Sequence, residues 1–270
     1  MIRNTYEKWL ELVERDGSML EYIPEDQRAY EICLDAVKQY AFALKFVPEK
    51  HRTLEICTEA VKQNGAVLQY IPKKYRNYQV CLIAVSNTGK ALKYVPERLK
   101  TCEMCEKALK KYDFALEFIP DKYKTYSLCR KMVKRNGLCL QYIPKQHLTY
   151  ELCLTAVKQC GSAIIYVPDR YTDYTICLEA VKQNGLALYF VPNRYKTYET
   201  CMEALKQNKY AFNYIPERYK NKELYETMVE STDRSYTFYI NQIKNNKKWI
   251  SDNIPKKYIS KLKKDLLKLA

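Results

Sequence analysis

A chain of 270 residues that is 47% apolar can build a core, which sets aside wholesale disorder, and 6 glycines are too few for a fold of many tight β-turns. The formal charge of +15 selects no fold but biases association toward acidic partners: nucleic acid, anionic membrane or acidic protein. The opening MIRNTYEKWLELVERDG has no apolar signal core, and apolar runs such as Ala163 to Val167 are too short to span a bilayer. These features imply a soluble, cytoplasmic protein.

The dominant feature is a repeat. Proline stands at 24, 48, 72, 96, 120, 144, 168, 192 and 216, always 24 residues after the last. Cysteine keeps the same phase at 33, 57, 81, 105, 129, 153, 177 and 201, with Trp9 in the first unit's slot. An aromatic precedes each Ile-Pro or Val-Pro pair, from Tyr22 and Phe46 through to Phe190 and Tyr214. Fixed periods of this kind mark stacked repeat architectures, so the sequence predicts an all-α solenoid of nine 24-residue repeats over residues 5–220.

Each unit translates into local structure in chain order. Thr53, Thr101, Thr125, Thr149 and Thr197 sit where a helix N-cap belongs, and Glu55, Glu103, Glu151 and Glu199 follow at the positive end of the helix dipole. Tyr30, Cys33, Ala36 and Val37 then recur at helical spacing, which predicts a helix of about eleven residues. Asn-Gly at 64–65, 136–137 and 184–185 reads as a C-cap with glycine in the left-handed conformation. A short helical segment such as Leu186 to Val191 follows, then a proline that ends it and starts one last turn. Such a unit cannot bury its apolar face alone and must stack on its neighbours. Cysteines one repeat apart are then about 8–10 Å distant, too far to bridge, so the column reads as buried core in a reducing compartment.

The pattern breaks after Pro216, and residues 221–270 read as a degenerate repeat with a basic helical cap. In that cap Ile259, Leu262, Leu266 and Leu269 share one face.

The run CLEAVKQNGLALYFVPNRYKTYETC at 177–201 resembles a family of tandem helical repeats catalogued only as a domain of unknown function. Its relatives occur in amoeba-infecting giant viruses and some intracellular bacteria, and it is similar in period to leucine-rich-repeat variants. The resemblance implies the fold and a viral or effector origin, with host cytoplasm or virion as possible settings. It carries no activity to transfer.

Little points to catalysis, and the chain reads as a non-enzyme with no cofactor and no metal. His51 and His147, four repeats apart, occupy a slot that is tyrosine at Tyr75, Tyr123, Tyr171, Tyr195 and Tyr219. In Cys102-x-x-Cys105 the second cysteine belongs to the core column and the first replaces a phased tyrosine, without the further ligands that zinc requires. Phosphate-loop and nucleophile-elbow motifs do not occur.

Three basic rows carry the functional expectation. One closes the long helices at Lys38, Lys62, Lys110, Lys134, Lys158, Lys182 and Lys206, where the helix dipole favours a cation. A second follows the prolines at Lys50, Lys74, Arg98, Lys122, Arg170, Arg194 and Arg218. The third lies two residues further on at Arg52, Arg76, Lys100, Lys124, Lys196 and Lys220. Between the last two stand Tyr75, Tyr123, Tyr171, Tyr195 and Tyr219. The basic–Tyr–basic segments are the expected contact surface: Lys74-Tyr75-Arg76, Lys122-Tyr123-Lys124, Arg170-Tyr171, Arg194-Tyr195-Lys196 and Arg218-Tyr219-Lys220. The expected function is a non-catalytic scaffold facing an acidic protein. RNA or single-stranded DNA is the alternative, because cations that grip phosphates beside rings that stack bases also suit a nucleic-acid groove.

Overall fold

The Thr column caps helices as its position predicts. In the computed structural model, which describes residues 2–221 and 224, Thr53 Oγ1 accepts from the Ile56 N–H and Thr101, Thr149 and Thr197 act alike. Where the slot holds another short polar residue the cap persists, with Asn77 accepting from Val80 and Asp173 from Ile176. Each cap opens a ten-residue helix. After α1 (Ile2–Arg15) come α2 (Tyr30–Gln39), α3 (Leu54–Gln63), α4 (Tyr78–Asn87) and α5 (Cys102–Lys111). Then follow α6 (Tyr126–Arg135), α7 (Tyr150–Gln159), α8 (Tyr174–Gln183) and α9 (Tyr198–Gln207).

The end of each long helix corrects the expected left-handed glycine. Asn64 is extended, at φ −146° and ψ 112°, and its side chain accepts from Ala66 N–H to cap the following segment. That segment, Gly65–Tyr70, is a 3₁₀ helix of six residues rather than a stretch of α-helix. Glycine is needed here for space. A Cβ on Gly65 would lie 1.9 Å from the Ala84 carbonyl oxygen of the next long helix, and one on Gly185 would lie 2.2 Å from that of Ala204. Proline then caps a three-residue 3₁₀ turn, as in Lys73–Tyr75, through its carbonyl: Tyr75 N–H donates to Pro72 O at 2.9 Å.

The repeats stack as an all-α solenoid, with no strand among the described residues. The chain divides into two units, Met1–Thr125 with α1 to α5 and Tyr126–Ala270 with α6 to α9. Within each unit a long helix packs on the next long helix and on the 3₁₀ helix of the preceding repeat, while the six-residue 3₁₀ helices stack in a second row. The core runs between these rows. Ile56, Cys57, Ala60 and Val61 of α3, with Val67, Leu68 and Ile71 beyond it, are at most 1% exposed. Full burial of a Leu or Ile side chain contributes roughly 1.5–3 kcal/mol, so each repeat adds its own increment of stability.

Polar side chains join adjacent repeats. Gln63 Nε2 donates to Val37 O at 2.8 Å and to Lys38 O, and Asn87 Nδ2 donates to Val61 O and Lys62 O at 2.8 and 2.7 Å. These are the carbonyls a helix leaves open at its C-terminus, and the neighbouring repeat satisfies them. In the second unit Gln183 and Gln207 accept from the N–H of Gly161 and Gly185, and Gln183 Nε2 also donates to Gln159 O at 3.4 Å. Tyrosines tie the other end: Tyr30 Oη donates to Glu55 at 2.6 Å, Tyr78 to Glu103 at 3.2 Å, Tyr150 to Asp173 at 2.9 Å, and Tyr174 to Glu199. The degenerate repeat and helical cap expected over residues 221–270 lie almost wholly outside the described residues.

Candidate binding surface

The proline turns present the second basic row. Lys74, Lys122, Arg170, Arg194 and Arg218 are exposed, each the second residue of its turn. The charged head lies over the ring of the tyrosine that follows it. Lys74 and Lys122 nitrogens stand 4.9 Å from the centroids of Tyr75 and Tyr123. The guanidinium carbons of Arg170, Arg194 and Arg218 stand 4.7, 4.8 and 4.8 Å from Tyr171, Tyr195 and Tyr219. Attraction between a cation and the negative ring face holds these long side chains in one arrangement.

Each ring is half-buried, and Tyr219 also packs edge-on against the first residue of the preceding long helix. Tyr219 meets Tyr198 at 6.3 Å and 64°, and Tyr171 Oη donates to Leu148 O at 2.8 Å. The two histidines take the same position: His51 meets Tyr30 at 6.2 Å and His147 meets Tyr126 at 6.4 Å. They are ring substitutes in the stack, as their phase predicts.

The third row turns inward, which corrects half of the expected surface. Arg76 Nε donates to Ile71 O at 2.8 Å and its terminal nitrogens donate to Gln69 O and Tyr94 O, both at 3.1 Å. Arg28 bonds Ile23, Glu21 and Phe46 in the same way, and Arg52 bonds Val47 and Lys45. Lys100 is buried and donates to Phe118 O at 2.8 Å and to Glu97 at 2.7 Å. Lys124 is buried against Asp121 at 3.1 Å, Lys196 reaches Tyr214 O at 3.4 Å, and Lys220 pairs with Glu217 while lying over the Phe212 ring. Burial pulls the Lys196 ammonium below the usual lysine range. The arginines, Lys100 and Lys196 satisfy carbonyls that the 3₁₀ helices leave open, while Lys124 and Lys220 pair with an acid of their own turn, so Arg76, Lys124, Lys196 and Lys220 belong to the framework. The sequence held a signal of this. The third column admits Leu148 and buried Thr172, whereas the second column is polar throughout, including Asp26 and Gln146.

The helix-end row is exposed and partly self-neutralised. Lys38, Lys62, Lys182 and Lys206 pair with an acid three residues earlier, at 3.1, 2.6, 3.4 and 2.9 Å. Exposed pairs of this kind contribute at most about 1 kcal/mol. Lys74, Lys122, Arg170, Arg194 and Arg218 make no ion pair among the described residues.

The cysteine column is buried and every cysteine is a free thiol. Burial pushes the thiols of Cys33 and Cys177 up to about 12, and those of Cys57, Cys81, Cys105, Cys153 and Cys201 up to about 11. A thiol that stays protonated is neither nucleophile nor metal ligand, so the column is packing material. Cys105 lies in the core while Cys102 is exposed, which separates the two residues that the sequence spaces like a redox or metal pair. No group of three or more His, Cys, Asp or Glu side chains suited to a metal ion occurs among the described residues.

The model for a domain of unknown function, DUF4116, matches residues 5–52, 30–76, 53–100, 77–124, 101–148, 125–172 and 149–196. Each match spans two repeats and the next begins one repeat further on. The chain belongs to this family. The DUF4116 pair of repeats thus contains one complete set of the junctions described above: glycine against helix, amide against helix end, and inward cation against 3₁₀ carbonyl. No match is found among curated proteins or solved structures. No helix among the described residues is long and apolar enough to cross a membrane.

Proposed function

We propose that this DUF4116 solenoid is a non-catalytic scaffold whose post-proline cations receive an acidic protein surface. The observation that carries this reading is the contrast between neighbouring rows: the inward row is bonded to carbonyls or paired with acids, while Lys74, Lys122, Arg170, Arg194 and Arg218 stand exposed over tyrosine rings without ion pairs among the described residues. A cation already stacked on a ring loses less conformational entropy on binding, and a stacked guanidinium keeps its N–H fork for a carboxylate. The same geometry argues against base stacking. Each of these rings is half-buried and already carries a cation over one face, which reduces the platform it offers a nucleobase.

The test uses poly-L-glutamate and a single-stranded oligouridine on the full chain. Reversing Arg170, Arg194 and Arg218 to Glu removes three ion pairs; at about 0.5 kcal/mol each that weakens poly-glutamate binding roughly tenfold at physiological salt, while the chain stays folded and loses no more stability than three exposed cation–ring contacts supply. Tighter binding of oligouridine than of poly-glutamate, with a steep salt dependence, replaces the protein reading with the nucleic-acid one.

A further inference from the structure

Two repeats lack the ring on which their counterparts close: one fills the slot with apolar Leu99, the other holds a polar amide there. The slot held by His51, Tyr75, Tyr123, His147, Tyr171, Tyr195 and Tyr219 holds Gln27 in the first repeat, facing Tyr6 where later repeats set Tyr30 against His51. The amide does not fill the space of a ring. A cavity of about 410 Å³ opens there, lined by Thr5, Tyr6, Trp9, Asp26, Gln27 and Ala29. Trp9 stands where the other repeats place a small buried cysteine, and its indole N–H donates to Gln27 Oε1 at 2.8 Å, which fixes the amide at one wall.

The chemistry of the lining is one-sided. Asp26 is exposed and makes no ion pair or hydrogen bond among the described residues. The Tyr6 hydroxyl likewise makes no hydrogen bond among the described residues, unlike its counterparts Tyr30, Tyr78, Tyr150 and Tyr174, which donate to the next repeat. Burial raises the Tyr6 hydroxyl above its ordinary range, and the charges of Glu31 and Asp35 raise it further, so the local field is negative. Residues 1–35 carry nine acidic side chains against four basic ones, on a chain of net charge +15.

We propose that this cavity is a binding site for a small organic cation, an ammonium group bearing apolar substituents. Two electron-rich aromatics, an unpaired carboxylate and a negative local field favour a weakly hydrated cation over a neutral or anionic ligand. A bare metal ion holds its water too strongly for a lining with one carboxylate. The same head group reaches the site from a free alkylammonium compound or from a methylated lysine on another chain.

Trp9 reports occupancy directly once Trp249→Phe makes it the only tryptophan. Titrating the full chain with tetramethylammonium, a trimethyllysine peptide and the neutral isostere 3,3-dimethylbutan-1-ol should give a saturable change in fluorescence with the two cations only. Binding should weaken roughly tenfold in Asp26→Asn. It should be lost in Gln27→Tyr, which restores the ring of the other repeats and leaves the melting curve at or above that of the parent. A peptide much tighter than tetramethylammonium assigns the cation to a partner chain, and equal affinity assigns it to a free compound. Equal binding of the neutral isostere, or binding unaffected by Asp26→Asn, overturns the proposal even if Gln27→Tyr does not fold.

Discussion

Lys74 and Arg76 are two residues apart on one turn and have opposite fates. Lys74 lies outside over a tyrosine ring, while Arg76 sends its guanidinium inward to three carbonyls, one of them in the next repeat. Charge does not distinguish them; position within the repeat does. A 3₁₀ helix ends with open carbonyls that need donors, and the column facing those carbonyls recruits cations as hydrogen-bond donors. The column facing water recruits them for solubility or for a partner. The cysteines divide in the same way, with Cys105 in the core and Cys102, three residues earlier, exposed.

The largest effect expected from this division comes at alkaline pH. The column thiols have folded pKa values raised to about 11–12, against about 8.5 for an unperturbed cysteine. Their contribution to stability is complete below the unfolded value and is lost as pH rises through the folded one. Stability should therefore fall from about pH 9 upward by on the order of 1 kcal/mol per thiol. Urea unfolding across that range checks it, with Cys57→Ala and Cys177→Ala together flattening the slope. A slope unchanged in that variant would remove the thiols from the account.

Next in size is the pair that defines the comparison. Arg76→Gln should cost about 2–4 kcal/mol, because carbonyls of two repeats lose charged donors, whereas Lys74→Gln should cost under about 1 kcal/mol, the worth of an exposed cation–ring contact. Gly65→Ala should cost about 1–3 kcal/mol, because the added methyl meets a backbone carbonyl that has to move. Ala41 holds the same slot one repeat earlier, so each junction sets its own spacing, and a loss near zero would mean that α4 shifts as freely. The smallest effects belong to the outer ties. Tyr174→Phe should cost about 1 kcal/mol through its lost bond to Glu199, and Lys182→Ala less than about 0.5 kcal/mol.

The repeat made the element order legible, because nine phased prolines fix every boundary at once, and the Thr caps and buried cysteines followed from position alone. Asn64-Gly65 was legible only as a stop. The dipeptide serves either a left-handed C-cap or a close approach, and the choice depends on where the Ala84 carbonyl lies, which is set by the neighbouring repeat. Six residues such as Gly65–Tyr70 are too few for periodicity to separate 3₁₀ from α. The candidate surface was half legible: the tyrosines and the outer cations stand where basic–Tyr–basic spacing places them. Arg76, Lys124, Lys196 and Lys220 read as surface because a lysine or arginine is assumed to seek water. The Leu148 and Thr172 substitutions in their column marked it as interior.

The most direct test of the division between the rows combines two readouts on two variants of the full chain. One variant carries Arg170→Gln, Arg194→Gln and Arg218→Gln; the other carries Arg28→Gln, Arg52→Gln and Arg76→Gln. Urea midpoint and poly-glutamate affinity are measured on both. The account predicts that the first variant loses affinity and only a little stability, under about 1 kcal/mol for each cation–ring contact removed. The second should lose stability on the order of several kcal/mol, with affinity retained where it remains folded. Equal loss of midpoint in both variants, or equal loss of affinity without unfolding, would contradict it.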